Sequence, residues 1–339
     1  MIGAERRFAM SRTAMTTKSV QFSEFGGVEV LEFVEVRMPE PGPGEVLVEV
    51  LAAGINHIEA YIRQGRFADE IATSKNQTQG SDFAGIVVAV GNGVTQFKRN
   101  SEVLGHARMS SHAYHIVVKA TSLVMKPKQL PWEVAGALFL AGLAAHDLVE
   151  QVHVGEGDTV VVSAAAGGVG SIEIQLAKLR GATVIGTCGE RNFDYLRQLG
   201  IKPVVYGDGI VERIEKLAPN GVDAYLDNFG QDGEGIAKEL GVDPSRYTSS
   251  EQRKDLELKA ICPDADGEAH NTEVLGKLAT LAADRRVSVL ISGYYPFGFV
   301  RDAFDDLEKR HARGKIVLGM KPAHSLGIMK ARDVSDARD

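Results

Sequence analysis

The stretch Thr159-Val-Val-Val-Ser-Ala-Ala-Ala-Gly-Gly-Val-Gly170 decides the fold of this chain. A short β-branched run leads into three small residues at the spacing Ala165-x-Gly167-x-x-Gly170, and an amphipathic segment follows at once. The first small residue permits a tight turn, Gly167 lets the backbone approach a pyrophosphate, and Gly170 lets a helix pack closely on the strand. The amides of the helix N-terminus would receive the diphosphate. The stretch predicts a dinucleotide site, and a ligand-free strand-to-helix turn is the alternative.

The segments after this stretch alternate between strand-like and helix-like patterns. We predict strands at 159–163, 183–186, 203–206 and 224–227, and helices at 170–180 and 192–199. Short buried strands that alternate with helices predict a parallel, doubly wound sheet. Farther along, we predict helices at 272–283 and 300–313 and strands at 287–291 and 316–318, whereas 241–267 is polar and has no clear period. The central part of the chain is therefore α/β.

The first hundred residues favour β-structure instead. Apolar, β-branched runs occur at 20–22, 28–36, 46–52 and 85–90, and Gly and Pro clusters separate several of them. Near Leu130 the pattern changes, and 131–151 has helical spacing with Pro131 suited to a first turn. With 339 residues, the chain is long enough for two domains. We predict a β-rich domain and a doubly wound one.

Composition excludes several classes of function. The net charge is −7, which argues against a protein that binds the phosphate backbone of nucleic acids. Two cysteines, Cys188 and Cys262, are too few for a disulfide framework or a four-thiolate zinc site, so we expect a cytoplasmic protein. No run approaches the roughly 20 apolar residues of a membrane span, and the N-terminus lacks the apolar core of a secretory signal. We expect a small-molecule partner, with no nucleic acid and no membrane.

With these residues in view, the chain resembles the medium-chain dehydrogenase/reductase superfamily, in its zinc-independent quinone oxidoreductase (zeta-crystallin-like) branch. The resemblance extends over roughly 20–318, and it rests on the order of several short motifs. These are Gly42-Pro-Gly-Glu-Val-Leu-Val, Ala53-Gly-Ile-Asn56, Tyr61-Ile-Arg63-x-Gly65, Gly80-x-Asp82-Phe-Ala-Gly85, the fingerprint, Asp227-x-x-Gly230 and Arg313-Gly-Lys315-x-Val-Leu. It implies a GroES-like β-rich domain at 19–140 and 272–325, a Rossmann domain at 141–271, a flexible extension at 1–18 and a tail at 326–339. It also suggests a homodimer.

The resemblance further implies that the cofactor is NADPH. Cys188 stands where NAD-dependent relatives carry an acidic residue for the ribose, and Arg191 follows as a donor suited to a 2′-phosphate. The alternative is that Glu190 binds the ribose and Arg191 is a solvated charge at a helix start. The positions that match cofactor contacts are Ala166, Gly167, Gly168, Val169, Gly170, Thr187, Gly189, Arg191, Tyr206, Asn228 and Lys315.

The catalytic positions follow from the same comparison of motifs. Zinc-dependent relatives carry a cysteine near position 56 and a histidine near position 81, where this chain has Asn56 and Ser81. We therefore expect no zinc, although His106, His112 and His115 lie close together in sequence. Asn56, Tyr61 and His57 are the predicted catalytic residues. For Asn56 the alternative is an ordinary turn residue, and a loop histidine such as His57 is more often exposed or structural.

The resemblance implies an enzyme that transfers a hydride from NADPH to a quinone or an α,β-unsaturated carbonyl compound, without zinc. Some departures point to a second hypothesis, a crystallin-like protein that binds NADPH without turnover. Phe67 replaces a tyrosine of many relatives, and Ala144 replaces a threonine. The segment 236–252 also replaces a glycine-rich strand, so the physiological substrate does not follow from the resemblance.

Overall fold

The computed structural model describes residues 15–71, 76–309 and 313–320. Its strands are β1 (Thr16–Phe22), β2 (Glu32–Arg37), β3 (Glu45–Ile55), β4 (Gln77–Thr78), β5 (Asp82–Val90), β6 (Glu102–His106), β7 (His115–Lys119), β8 (Leu123–Met125), β9 (Thr159–Val162), β10 (Thr183–Thr187), β11 (Lys202–Val204), β12 (Ala224–Leu226), β13 (Tyr247–Thr248), β14 (Ile291–Pro296) and β15 (Lys315–Gly319). Its helices are α1 (His57–Arg63), α2 (Trp132–Ala135), α3 (Phe139–Gln151), α4 (Gly170–Leu179), α5 (Phe193–Gln198), α6 (Ile210–Leu217), α7 (Gly233–Glu239), α8 (Ser250–Ile261), α9 (Ala265–Ala283) and α10 (Val300–Glu308).

The nucleotide-binding half is a five-stranded parallel sheet in the order β11-β10-β9-β12-β13. The central strand β9 is apolar on both faces because helices cover both sides of the sheet. Val160 and Val162 belong to the main core with α3 and α4, whereas Val161 belongs to a second core with α6 and α7. This is the doubly wound arrangement that the sequence predicts.

The β-rich half is organised around the long strand β3. A sheet in the order β14-β15-β3-β5-β6-β8 contains it, and β7 also pairs with β3. A separate small sheet has the order β2-β1-β4. Val46, Val48 and Val50 of β3 are fully buried in the core of this half. The last strand, β15, reaches this sheet from the C-terminal part of the chain and pairs antiparallel with β3.

Several boundaries differ from the sequence-based expectations. Strand β1 begins before residue 19, because Thr16, Thr17 and Lys18 pair with β2. The rest of the expected extension, residues 1–14, and the expected tail, 326–339, lie outside the described residues. The predicted strand at 287–291 is wrong: the strand is β14, which begins at Ile291. Val287 and Val289 are buried by packing and not as members of a ladder.

The helices show similar corrections. The predicted helix at 131–151 is two helices, α2 and α3, because the Gly136 carbonyl accepts a hydrogen bond from the Gly54 amide at 2.6 Å between them. The polar stretch 241–267 contains β13, α8 and the start of α9. The expected domain boundaries at 140 and 271 fall inside α3 and α9, and α9 packs against α3 and α8 as well as β6 and β8. Within the described part of the chain, no helix has the length and apolar character of a membrane span.

Candidate active site

The turn between β9 and α4 is tight. Ala164 adopts a left-handed conformation with φ of 46°, and its carbonyl oxygen accepts from the Gly167 amide at 2.9 Å. A Cβ on Gly170 would lie 2.6 Å from the same oxygen, so glycine is needed for α4 to begin this close to β9. No side chain caps α4. The amides of Ser171, Ile172 and Glu173 donate to the carbonyls of Gly167 and Val169, so a diphosphate would be received by the amides of the loop that precedes them. The predicted cofactor residues in this loop are Ala166, Gly167, Gly168, Val169 and Gly170.

The carboxyl end of β10 holds the next group of predicted cofactor residues. Thr187 is buried, and its carbonyl accepts from the Ala165 amide at 3.0 Å, which joins this strand end to the glycine loop. Gly189 and Arg191 follow in a short 3₁₀ turn with Arg191 exposed. Tyr206, which follows β11, is also exposed, at 61% of its surface. All four residues lie at the edge where ligands of open parallel sheets bind.

Two exposed aromatic rings approach each other over this edge. Tyr206 and Phe229 are nearly parallel, with an interplanar angle of 21° and ring centroids 6.4 Å apart. They follow β11 and β12, which are separated in the sheet by β10 and β9. The aromatic pair therefore spans the carboxyl ends of β9, which leads into the glycine loop, and β10, which leads into the turn with Arg191.

The carboxyl end of β12 is fixed to β9 by polar side chains. The Ser163 hydroxyl donates to Asp227 at 2.7 Å and accepts from the Asn228 amide at 2.8 Å. Asn228 donates through Nδ2 to the Ser163 carbonyl at 3.3 Å and also to the carboxylate of Glu173 on α4. The Oδ1 atom of Asn228 is buried and has no hydrogen-bond partner among the described residues. An acceptor is therefore available at the strand end.

Because it contacts Asn228, Glu173 is a candidate site residue, and the sequence analysis missed it. It is fully buried on the inner face of α4, one turn after Gly170. Burial raises the pKa of Glu173 to about 7, against the opposing effects of the Asn228 amide and of the Arg253 guanidinium on α8. Arg253 pairs with Glu257 at 3.0 Å. A proton-binding group thus lies directly behind Asn228.

In the β-rich half, Asn56 is enclosed by charged side chains. It is the N-cap of α1 in a capping box with Glu59, whose carboxylate accepts from the Asn56 amide at 3.0 Å. Asn56 Nδ2 faces Glu59 at 3.3 Å and Asp82 at 3.4 Å, and its Oδ1 accepts from the Lys315 ammonium. Both amide hydrogens therefore point at carboxylates. In this arrangement the Asn56 side chain links Glu59, Asp82 and Lys315 in one buried network.

Lys315 connects this network to the glycine loop. Its ammonium is buried, donates to the Ile55 carbonyl at 3.1 Å and lies 3.8 Å from Asp82 Oδ2. The preceding residue, Gly314, forms a bridge to Gly167, and its amide donates to the Ala166 carbonyl at 2.9 Å. Two successive residues at the beginning of β15 therefore contact different groups: Gly314 contacts the predicted cofactor loop, and Lys315 contacts the predicted catalytic residue Asn56.

The two buried carboxylates of this network have shifted acidity. Burial raises the pKa of Glu59 to about 7 and that of Asp82 to about 6, while the positive charge of Lys315 acts in the opposite direction on both. The ammonium is thus shared by two acids that titrate close to neutral pH. The sequence already contained the capping-box pattern Asn56-x-x-Glu59, but nothing local indicated the burial of Asp82.

His57 and Tyr61 occupy the outer side of α1. Their rings are 6.3 Å apart with an interplanar angle of 26°, and both residues are only partly exposed. The Arg66 guanidinium lies 4.5 Å from the centre of the Tyr61 ring, and the Lys254 ammonium of α8 lies 5.9 Å from it. Helix α8, in the stretch without a clear sequence pattern, thus forms the opposite wall beside Tyr61.

The positions expected for zinc ligands have other contacts. Asn56 is engaged as described, and Ser81 is fully buried. His106 bonds to Thr272, and His112 bonds to the Gly54 carbonyl at 3.1 Å; burial lowers the pKa of each to about 4. His115 instead contacts Thr17. Within 15–71, 76–309 and 313–320, no cluster of three or more His, Cys, Asp or Glu side chains is arranged to hold a metal ion.

Comparisons with known proteins agree on both halves. The family model described as the alcohol dehydrogenase GroES-like domain matches residues 42–127, and the model described as zinc-binding dehydrogenase matches residues 168–253. The chain is 32% identical to an NADPH-dependent alkenal/one oxidoreductase, chloroplastic, of Arabidopsis thaliana, over 89% of this chain and 79% of that protein. It is 27% identical to a probable quinone oxidoreductase of Schizosaccharomyces pombe, over 90% of this chain and 97% of that protein.

Solved structures give the same result. The quinone oxidoreductase of Escherichia coli, complexed with NADPH, superposes with a TM-score of 0.74 at 25% identity, over 89% of this chain and 99% of that one. The quinone oxidoreductase of Coxiella burnetii gives a TM-score of 0.75 at 27% identity, over 91% and 100% of the two chains. These similarities extend over both the β-rich and the nucleotide-binding half.

Proposed function

Because the chain belongs to the medium-chain dehydrogenase/reductase superfamily, in its quinone oxidoreductase branch, we propose that it is an oxidoreductase that transfers a hydride from NADPH to a quinone or an α,β-unsaturated carbonyl compound. The observation that carries this proposal is the bridge between Gly167 and Gly314. It holds the glycine loop, where the diphosphate would bind, against the strand that bears Lys315 and contacts Asn56. In this proposal the cofactor and the catalytic residues meet at this bridge.

The residues present fit this cofactor. No side chain caps α4, the partly exposed Gly167 has no Cβ to keep a diphosphate from its main chain, and Asn228 Oδ1 is a buried acceptor without a partner among the described residues. Arg191 and Tyr206 would hold the 2′-phosphate and Thr187 and Gly189 the adjacent ribose, in agreement with the NADPH-dependent relatives. When bound, NADPH supplies the hydride.

The protein's own contribution is orientation and charge stabilisation. As hydride adds to the acceptor, negative charge develops on the carbonyl or quinone oxygen, and a positioned donor stabilises it. We assign that donor to Tyr61 or His57, which lie at the partly exposed side of α1. Asn56, whose amide is held by Glu59, Asp82 and Lys315, positions the start of this helix. The proton that completes the reduction comes through these donors from water.

We propose that this chemistry needs no zinc. The support is that Asn56 and Ser81 replace the expected ligands and that Asn56 is fully engaged with neighbouring charges. An activated acceptor needs less polarisation than a simple ketone, which usually requires a Lewis acid. Incubation with a strong chelator followed by assay tests this directly, and loss of activity that added zinc restores would contradict it.

The decisive experiment follows the absorbance of NADPH with purified protein and a panel containing a small quinone, an enone, a 2-alkenal and the matching saturated aldehyde. We expect turnover of the conjugated acceptors, little with the saturated aldehyde, and lower efficiency with NADH. Tight NADPH binding without turnover of any acceptor would instead support the redox-silent hypothesis. Phe67 and Ala144 are the departures that motivated that hypothesis, and both are packed: Phe67 contacts the main core, and Ala144 is buried within α3.

The catalytic assignment has its own test. We expect Tyr61→Phe or His57→Asn to lower kcat by about a hundredfold for whichever residue donates to the developing oxyanion, with the KM for NADPH unchanged. Tyr114→Phe, in the core of the β-rich half, is the matched control. Full activity in both site variants would remove these residues from the mechanism.

We also propose that the protein forms a homodimer and that it is located in the cytoplasm. The support for the compartment is that Cys188 and Cys262 are unpaired. Light scattering on the purified chain and fractionation of the source cells would test these two predictions, and an organellar location such as that named for the Arabidopsis relative would contradict the second.

A further inference from the structure

The guanidinium of Arg313 lies at the end of β10, although the residue belongs to the strand that returns to the β-rich half. Its Nε donates to Asn192 Oδ1 at 2.8 Å, and its Nη2 donates to the Arg191 carbonyl at 2.9 Å. Its Cζ lies 5.6 Å from the centre of the Tyr195 ring. Three contacts thus hold the side chain against the turn that begins at Gly189, and within the described part of the chain no hydrogen bond involves Nη1.

The backbone fixes Arg313 at this position. Gly314 has a φ of 74°, and a Cβ there would collide with the Leu290 carbonyl oxygen, so the strand passes where only glycine fits. The bridge from Gly314 to Gly167 then sets the strand against the cofactor loop. Arg313 precedes this bridge and Lys315 follows it. The two cations therefore contact different parts of the protein, Arg313 the turn after β10 and Lys315 the start of α1.

The Arg313 guanidinium has no ion-pair partner among the described residues, since none of their carboxylates lies within 4.0 Å of it. Cys188, the residue after β10, occupies the position where NAD-dependent enzymes usually carry an acidic residue. Arg191 belongs to the very turn that Arg313 contacts. Two arginines on one turn favour a doubly charged anion, and a guanidinium offers paired donors that match phosphate geometry.

We propose that Arg313 is a second ligand for the 2′-phosphate of NADPH, contributed by the β-rich half. This rests on the proposed function, in which the phosphate lies beside Arg191. The proposal adds that the two halves of the protein share the recognition of the phosphate. Arg191 follows a strand of the nucleotide-binding sheet, and Arg313 lies in the segment that leads into β15. The choice of NADPH over NADH then depends on a residue about 120 positions away from the strand end that usually decides it.

The test measures binding and not turnover. Isothermal titration calorimetry gives the Kd of NADP⁺, NAD⁺, adenosine 2′-monophosphate and adenosine 5′-monophosphate for the wild type, Arg313→Gln and Arg313→Lys. We expect Arg313→Gln to weaken NADP⁺ and the 2′-monophosphate at least about tenfold, since bonds to charged groups are worth roughly one to two powers of ten in affinity. NAD⁺ and the 5′-monophosphate should change less than about twofold, and Arg313→Lys should be intermediate because it keeps the charge but loses the paired donors.

Arg197→Gln is the matched control, because Arg197 is an arginine of α5 that also lies over an aromatic ring but pairs with Asp194 at the surface. It should leave all four affinities unchanged. Equal weakening of NADP⁺ and NAD⁺ in Arg313→Gln would mean that Arg313 only holds the turn in place, and would overturn the proposal. Unchanged NADP⁺ binding would overturn it as well. Failure of the wild type to bind either dinucleotide would instead refute the proposed function itself.

Discussion

Replacing Glu173 by glutamine should change how the stability of the protein depends on pH. Glu173 is fully buried on α4, and one of its carboxylate oxygens accepts from Asn228 while the other has no partner among the described residues. Burial raises the pKa of Glu173 from 4.5 to about 7. The folded protein therefore binds a proton at this position more tightly than the unfolded chain does.

The sign and size of the effect follow from this difference. Below pH 4.5 the carboxyl is protonated in both states, and it carries no penalty. As the pH rises to 7 the unfolded chain loses the proton first, so the folded state is destabilised progressively, and the full penalty applies above pH 7. A rise from 4.5 to about 7 corresponds to about 3 kcal/mol, because a tenfold change in an equilibrium is worth about 1.4 kcal/mol.

Glu173→Gln removes this penalty and adds a constant one. The glutamine oxygen can still accept from Asn228, but its NH₂ group replaces an oxygen that has no partner, which costs about 1–3 kcal/mol. We expect the variant to be less stable than wild type at pH 5 and to improve relative to it by about 3 kcal/mol by pH 8. The destabilisation should shrink or reverse as the pH rises.

The assay is urea denaturation at pH 5, 6, 7 and 8, with Glu239→Gln as control because Glu239 is an exposed glutamate at the end of α7. The control should follow the wild type at every pH. A difference between Glu173→Gln and wild type that stays constant from pH 5 to 8 would refute the reasoning, since it would mean that Glu173 is not neutralised by burial.

Two other substitutions test the packing and charge of the site. Gly170→Ala places a Cβ 2.6 Å from the Ala164 carbonyl oxygen, so it should lower the free energy of unfolding by about 1–3 kcal/mol and weaken nucleotide binding. Gly235→Ala is the control: its Cβ would lie in open space on α7, and it should raise the free energy of unfolding by about 0.5–1 kcal/mol. Equal shifts in the melting temperature of the two variants would contradict this reasoning. Lys315→Met leaves Asp82 without its cation and should lower the free energy of unfolding by about 3–5 kcal/mol at pH 8. The loss should be smaller at pH 5, because the pKa of Asp82 is raised to about 6 and its carboxyl group is then protonated. Urea denaturation measures both values, and a loss that does not depend on pH would rule out this explanation.

The nucleotide-binding half was predictable because its signals are local. The fingerprint, the strand before it and the helix after it occupy one continuous stretch, and Gly170 is required by the Ala164 carbonyl only six residues before it. The parallel order of the sheet then follows from alternating strands and helices. The residues at the strand ends could likewise be located, because carboxyl ends of parallel strands share one edge.

The stretch 241–267 was not predictable from periodicity, and α8 shows why. Its sequence is rich in charged residues, and some of these, such as Glu257, are buried instead of exposed. A helix whose charges point inward has no apolar stripe to detect. A local signal was nevertheless present: Ser249 and Gln252 form a capping box that marks the start of the helix. Capping residues can therefore be recognised in the sequence even where buried charges remove the hydrophobic pattern of a helix.

The charged network around Asn56 lay beyond any local rule. Lys315 and Asn56 are 259 positions apart, and only the pairing of β15 with β3 brings them into contact. That pairing has a wider consequence, because the same strand start places Arg313 at the turn after β10, Gly314 against the glycine loop and Lys315 beside Asn56. A shift of β15 along β3 by one residue would reverse which side chains face inward. It would therefore disturb the proposed nucleotide site and the proposed catalytic residues of α1 together, and we conclude that the register of this strand is what brings these two groups of residues together.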